Sequence, residues 1–199
     1  MEDFVRIYDG ALDPAVCSSI IDRFESDTDN HYAGNVDGEE GLVVKLDYKQ
    51  TTELALGLFP EWSDIDALLY EKISGYFKLY LDSLGNLFGC KSSTILDEPY
   101  RVKRYDIGGG YQWHIDTAPS PNITGRRWIA AIWYLNTVYQ GGETEFRNSG
   151  RAVRPVTGRL LFFPCTWTFM HRSVPCYSGP KYIVSTFFFP SWLHLEKNK

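Results

Sequence analysis

The chain has 199 residues and a formal net charge of −5, from 20 Lys and Arg against 25 Asp and Glu. That length fits one domain over residues 1–199, and 44% apolar with 16% aromatic content excludes general disorder. The acidic balance argues against a protein held to nucleic acid by phosphate neutralisation. No apolar run reaches the roughly 18–20 residues of a membrane span, and Met1-Glu2-Asp3 opens unlike a secretory signal. The expectation is a soluble, cytoplasmic protein. Cys17, Cys90, Cys165 and Cys176 are widely spaced and form no CxxC pair, so free buried thiols are expected rather than a zinc ribbon or a redox pair.

Two helices are predicted in the first half. Asp13 is a good N-cap with Pro14 at the first helical position, and Val16, Ile20, Ile21 and Phe24 form one apolar stripe that ends before Asp27. The second helix begins after Ser63 with Asp64 and Asp66 in its first turn. Ile65, Leu68, Leu69, Ile73, Tyr76, Phe77, Tyr80 and Leu81 then recur at helical spacing up to Gly85. Between them, His31 to Gln50 is polar and glycine-rich, a loop with strand character at Leu42–Leu46.

From Tyr100 onward short aromatic and β-branched runs alternate with Gly, Pro and Asn, the pattern of strands joined by turns. The predicted strands are Arg101–Asp106, Gln112–Asp116, Trp128–Leu135, Arg159–Phe163 and Tyr182–Phe188. Helices first and antiparallel strands after them point to an α+β fold, with helices covering one sheet of a barrel or sandwich.

His114-Ile115-Asp116 falls in a predicted strand, where alternation puts His114 and Asp116 on one face. With His171 downstream, two imidazoles and one carboxylate make the donor set of a facial triad for non-haem Fe(II), which leaves positions open for further ligands. The pair alone is weak evidence, because 4 His and 14 Asp give roughly 0.3 such HxD pairs by chance. Lys181 opens the last strand, ten positions after His171. A lysine leading into an apolar strand is either an exposed strand end or a buried cation in need of an anion.

The stretch from about Tyr100 to Trp192 resembles the prolyl 4-hydroxylase-like branch of the 2-oxoglutarate and Fe(II)-dependent dioxygenases. The resemblance lies in Tyr105-Asp-Ile-Gly-Gly-Gly-Tyr111-Gln-Trp-His114-Ile-Asp116, Trp133-Tyr134-Leu135-Asn136 and Gly141-Gly142-Glu143-Thr144-Glu-Phe146. It continues through Val153-Arg-Pro155-Val-Thr-Gly158-Arg-Leu-Leu-Phe162 and His171-Arg-Ser-Val-Pro175-Cys-Tyr-Ser-Gly179-Pro-Lys181-Tyr182. These matches run in family order, whereas the first hundred residues match only loosely.

The resemblance implies a double-stranded β-helix, or jelly roll, with N-terminal supporting helices. It implies that His114, Asp116 and His171 bind iron. It also implies that Lys181 takes the distal carboxylate of 2-oxoglutarate with help from Tyr134, and that Tyr105, Tyr111, Ile132 and Ser185 line the cosubstrate pocket. Gly141-Gly142 reads as an ordinary hairpin turn. Fe(II), 2-oxoglutarate and O₂ are the implied cofactors, with ascorbate a further candidate, and the implied reaction is hydroxylation with release of succinate and CO₂. Asp116 argues against a halogenase.

A prolyl residue in a peptide or protein is the first expectation for the substrate, with a free amino acid or another small molecule as the alternative. A non-catalytic jelly-roll binding module is the rival from a different class. Substrate contacts are expected from His31–Gln50 and Thr117–Arg127, with Arg101, Trp113, Arg126 and Arg127 as candidate side chains. Oligomeric state is not legible, and His31 and His194 are read as non-ligands.

Overall fold

The computed structural model describes residues 4–38, 41–85, 95–117 and 123–191. Cys90, Trp192, His194 and positions 118–122 of the expected Thr117–Arg127 loop lie outside the described residues. In chain order, β1 (Arg6–Tyr8) precedes helix α1 (Pro14–Ser26). There follow β2 (Tyr32–Ala33), β3 (Val36–Gly38), β4 (Gly41–Val43), β5 (Thr52–Ala55) and helix α2 (Ser63–Ser83). The second half contributes β6 (Ile95–Asp97), β7 (Arg101–Tyr105), β8 (Tyr111–His114), β9 (Ile129–Tyr134) and β10 (Thr144–Phe146). It continues with β11 (Ala152–Val153), β12 (Arg159–Pro164), β13 (His171–Ser173) and β14 (Lys181–Pro190).

The strands form two antiparallel sheets. The larger runs β1-β12-β9-β14-β7-β5-β2 with β6 against β14, the smaller runs β11-β10-β13-β8, and β3 with β4 makes a separate hairpin. This is the jelly-roll arrangement, with the helices on the outer face of the larger sheet. One core cluster joins Ile20, Phe24, Leu69, Phe77 and Tyr80 of the helices to Trp133, Phe162 and Val184 of that sheet. A second cluster lies between the sheets and includes Tyr105, Tyr134, Phe146, Phe163 and Ile183. Alternation along β14 serves both, because Tyr182, Val184 and Phe188 join the first cluster while Ile183 and Phe187 join the second.

Local signals account for the helices. The Asp13 carboxylate accepts from the Ala15 amide at 2.7 Å, Pro14 opens α1, and Cys17, Ile20 and Phe24 are its buried face. In α2, Ile65, Leu69, Ile73, Phe77 and Tyr80 are buried, and Phe77 stacks on Phe188 at 3.8 Å between ring centroids. Truncating such a ring typically costs about 3–5 kcal/mol. Ser63 proves to be the first residue of α2 rather than its cap, and no side chain caps that end.

The strand assignments need three corrections. The Leu42–Leu46 strand is shorter and earlier, Gly41–Val43, because its pairing partner Val36–Gly38 offers only three positions. The expected Gln112–Asp116 strand ends at His114, so Ile115 and Asp116 lie beyond it. The short strands β1, β5, β6, β10, β11 and β13 carry too few residues for alternation to be visible, and pairing defines them. Cys17, Cys165 and Cys176 are free and buried.

Candidate active site

The site lies between the two sheets, on the inward parity of β7, β9 and β14. The registers Lys181↔Tyr105, Ile183↔Tyr134 and Ser185↔Ile132 place these six side chains on one face. Opposite them, β8 and β13 pair with His114 directly across from His171. From this rung to the next, Tyr111↔Ser173, β8 has one residue more than β13, a bulge beside the histidine pair. The structure brings all nine residues singled out in the sequence to one cavity: His114, Asp116, His171, Lys181, Tyr134, Tyr105, Tyr111, Ile132 and Ser185.

At one end of the cavity, donor atoms of His114, Asp116 and His171 all lie within 4.8 Å of one another. Asp116 Oδ1 is 3.7 Å from His114 Nε2, and its Oδ2 is 3.5 Å from His171 Nε2. Each imidazole is held from behind. Nδ1 of His114 meets the Gln112 carbonyl at 2.7 Å and Nδ1 of His171 meets the Phe169 carbonyl at 3.1 Å. In the tautomer that donates these bonds, both Nε2 lone pairs face the carboxylate, as a metal requires. Burial, and then the neighbouring His171, hold the His114 pKa well below its ordinary value, favouring the neutral ligand form. These two imidazoles and one carboxylate suit a non-haem Fe(II) ion with open positions.

Asp116 reaches this point although it lies past the strand end. Arg127 Nη1 donates to the Asp116 carbonyl at 3.3 Å, while its Nε and Nη2 donate to the buried Glu98 carboxylate at 2.6 and 2.7 Å. A bidentate pair of this kind fixes the bend that aims the aspartate. Arg127, offered from the sequence as a substrate contact, is therefore turned inward onto Glu98, with its guanidinium over Phe187. Arg101 lies 3.8 Å from Glu98 and stays partly exposed, and Trp113 is covered by the Arg172 guanidinium at 4.8 Å.

At the other end is Lys181, only 1% exposed. Its Nζ donates to the Gly142 carbonyl at 2.8 Å and to the Ser173 hydroxyl, and sits 4.3 Å from the Tyr105 ring centroid. These partners are neutral, and among the described residues no carboxylate forms an ion pair with it. Burial lowers its pKa to about 8. Gly141-Gly142 is therefore more than a turn that spaces strands, since the Gly142 carbonyl holds the lysine. Gly141 has φ +74°, and a Cβ there would collide with the Pro175 carbonyl. The Tyr134 hydroxyl bonds Thr144 Oγ1 at 2.7 Å. Ser173 and Thr144, quoted above only within the matching stretches, were given no role in the site because their strands are only three residues long.

Residues 100–189 match the model of the 2OG-Fe(II) oxygenase superfamily. That stretch of the chain, which contains every residue of the cavity described above, is similar to that superfamily. It is 25% identical to the prolyl 4-hydroxylase subunit alpha-1 of Gallus gallus over 96% of this chain and 41% of that protein. It is also 35% identical to the human prolyl 4-hydroxylase subunit alpha-3 over 38% of this chain and 14% of that one. The chain thus spans about two fifths or less of the length of these relatives. A Trichoplax adhaerens prolyl hydroxylase, solved with a hypoxia inducible factor peptide, superposes with TM-score 0.72 at 18% identity, covering 99% of this chain and 88% of that one. The oxygenase superfamily uses Fe(II), 2-oxoglutarate and O₂, and the donor set described above suits the metal.

Proposed function

We propose that the protein is a 2OG-Fe(II) oxygenase of the prolyl hydroxylase-like branch and that it hydroxylates a prolyl residue in a peptide or protein, releasing succinate and CO₂. The observation that carries the reading is the pairing, in one cavity, of a two-histidine, one-carboxylate cluster with a buried lysine whose partners are all neutral. His114, Asp116 and His171 would hold Fe(II), and Lys181 would take the distal carboxylate of 2-oxoglutarate. Tyr134, Tyr105, Tyr111, Ile132 and Ser185 would shape the space between. When bound, iron and 2-oxoglutarate supply the oxidation, in which one atom of O₂ enters a C–H bond and the other enters succinate.

The protein's part is to orient, exclude water and select. The backbone carbonyls behind both imidazoles fix their tautomers, and the Arg127–Glu98 pair fixes Asp116. Ile132, Ile183 and Phe187 keep the cavity wall apolar. The peptide substrate is supported by the branch and by the surface beside the cavity. Lys49 bridges to Tyr111, and Tyr48 donates to the Trp113 carbonyl at 2.7 Å, so the segment after β4 adjoins the metal strand. That segment and β4 expose Leu42, Val44 and Leu46, apolar side chains suited to covering a bound chain.

The test is succinate release from 2-oxoglutarate, stimulated by proline-containing peptides and free amino acids side by side. Stimulation by peptides with hydroxyproline as the product supports the proposal. Stimulation by free amino acids alone overturns the peptide substrate. No visible charge-transfer band with Fe(II) and 2-oxoglutarate under nitrogen would favour a binding module instead.

A further inference from the structure

β7 brings a second cation to the cavity. Lys103 lies two residues before Tyr105 and shares its inward parity, in register with Ile183 of β14. It is 9% exposed and lines the same cavity as the His114, Asp116 and His171 cluster. Its cross-strand neighbour on β5 is Glu53. That carboxylate is engaged by Lys49 at 2.6 Å and by the Thr51 hydroxyl at 2.8 Å. Among the described residues Lys103 makes no hydrogen bond and no ion pair within 4 Å, and Glu53 is the carboxylate whose charge acts on it most.

The two cavity lysines sit on the paired strands β7 and β14, one two-residue step of the register apart. Lys103 is linked to the metal end through Glu53, its register partner, because Lys49 on that carboxylate lies 5.3 Å from the Tyr111 ring, which stacks on His114 at 3.5 Å. Lys181 instead neighbours Cys176 and Glu143. Their rungs are two residues apart, roughly 7 Å along the strands, with Tyr134 and Ile183 on the Lys103 rung and Ile132 on the next, all lining the cavity. Diagonal to Lys103 on the same face, the buried Ser185 hydroxyl has no hydrogen-bond partner among the described residues. Two buried cations one register step apart in one cavity, beside the apolar Ile132 and Ile183, are complementary to a short dicarboxylate.

We infer that Lys103 binds the 1-carboxylate of the 2-oxo acid at the metal end, so that the cosubstrate is clamped by a lysine at each end. The inference rests on the reading of this cavity as the 2-oxoglutarate site. Burial leaves Lys103 with a pKa of about 8, and a carboxylate beside it restores the charge. The clamp has a specific consequence: a 2-oxo acid without a second carboxylate loses Lys181 but keeps Lys103.

Calorimetric binding of 2-oxoglutarate and of pyruvate to the Mn(II)-loaded protein under nitrogen tests this. Lys181→Met should weaken 2-oxoglutarate by roughly tenfold or more and leave pyruvate unchanged. Lys103→Met should weaken both acids by roughly tenfold or more, with Mn(II) affinity and melting temperature retained. Unchanged binding of both acids to Lys103→Met overturns the clamp alone. No binding of either acid to the wild type overturns the reading of the cavity, and the clamp with it. Should Lys103→Met not fold, a crystal structure of the wild-type Mn(II) and 2-oxoglutarate complex decides. Lys103 Nζ within hydrogen-bond distance of the 1-carboxylate supports the clamp, and Nζ turned onto Glu53 overturns it.

Discussion

His114 and His171 face each other across the β8–β13 register, with ring centroids 4.2 Å apart. Two strands nearly sixty residues apart in sequence thus meet at the metal end, and among the described residues no other histidine lines the cavity. His114→Ala or His171→Ala should abolish iron-dependent turnover, because two donors hold a labile divalent ion poorly. Metal titration of each variant is the check, and full affinity in either would remove that residue from the ligand set.

Lys181→Met should raise the 2-oxoglutarate KM by about 10- to 150-fold, the range expected for losing a charge-assisted hydrogen bond. Tyr134→Phe should raise it by roughly 2- to 12-fold, as a neutral hydroxyl contact does. The ligand-free Lys181→Met protein should melt no lower than wild type, since an apolar chain of similar length replaces a buried charge paired only with neutral groups. Steady-state kinetics and thermal melts on the same preparation separate the two effects.

The pH dependence follows from the same lysine. Its pKa falls from 10.5 to about 8 on folding. Between those values the unfolded chain binds more protons than the folded one, so this group makes the ligand-free protein gain stability as pH rises from 8 to 10.5. Cosubstrate binding runs the other way, because it needs the charged form. Affinity of the Mn(II) protein for 2-oxoglutarate should fall above pH 8, by up to about tenfold per pH unit for each lysine that must be charged. The fall should be shallower in Lys181→Met, and an identical slope would exclude Lys181 from the contact.

Leu42, Val44 and Leu46 are exposed and take no part in either core cluster. Replacing all three by Ser should therefore change the melting temperature little. It should leave substrate-free decarboxylation of 2-oxoglutarate intact while removing the stimulation by peptide, because only the coupled reaction needs a C–H bond held in place. Stimulation that survives would move substrate selection to the segment around Thr117–Arg127.

Much of this was legible because long periodic runs announce themselves. The stripe of α2, the Asp13 and Pro14 start of α1 and the alternation of β14 needed no tertiary information. Asp116 is instructive in the other direction. Strand alternation correctly paired it with His114, yet the strand stops first, and a buried arginine and glutamate hold the bend that brings it back. Nothing local in the sequence links Arg127 and Glu98 to that position. Gly142, Ser173 and Lys103 were hidden for a related reason, since each matters through a partner that only sheet register supplies. Two-residue parity back from Tyr105 was the one available pointer to Lys103.

All ten residues of β14 are buried, and successive ones look to opposite sides. An insertion or deletion of one residue there would not be a graded lesion. It would present Tyr182, Val184 and Thr186 to the cosubstrate and turn Lys181, Ile183 and Ser185 toward the helices, exchanging two chemistries that cannot stand in for each other. Length changes should be lethal between 181 and 188 and tolerated at 41–46. The reading frame of one strand thus fixes which side chains face the cavity, while the exposed 41–46 segment can change length without disturbing it.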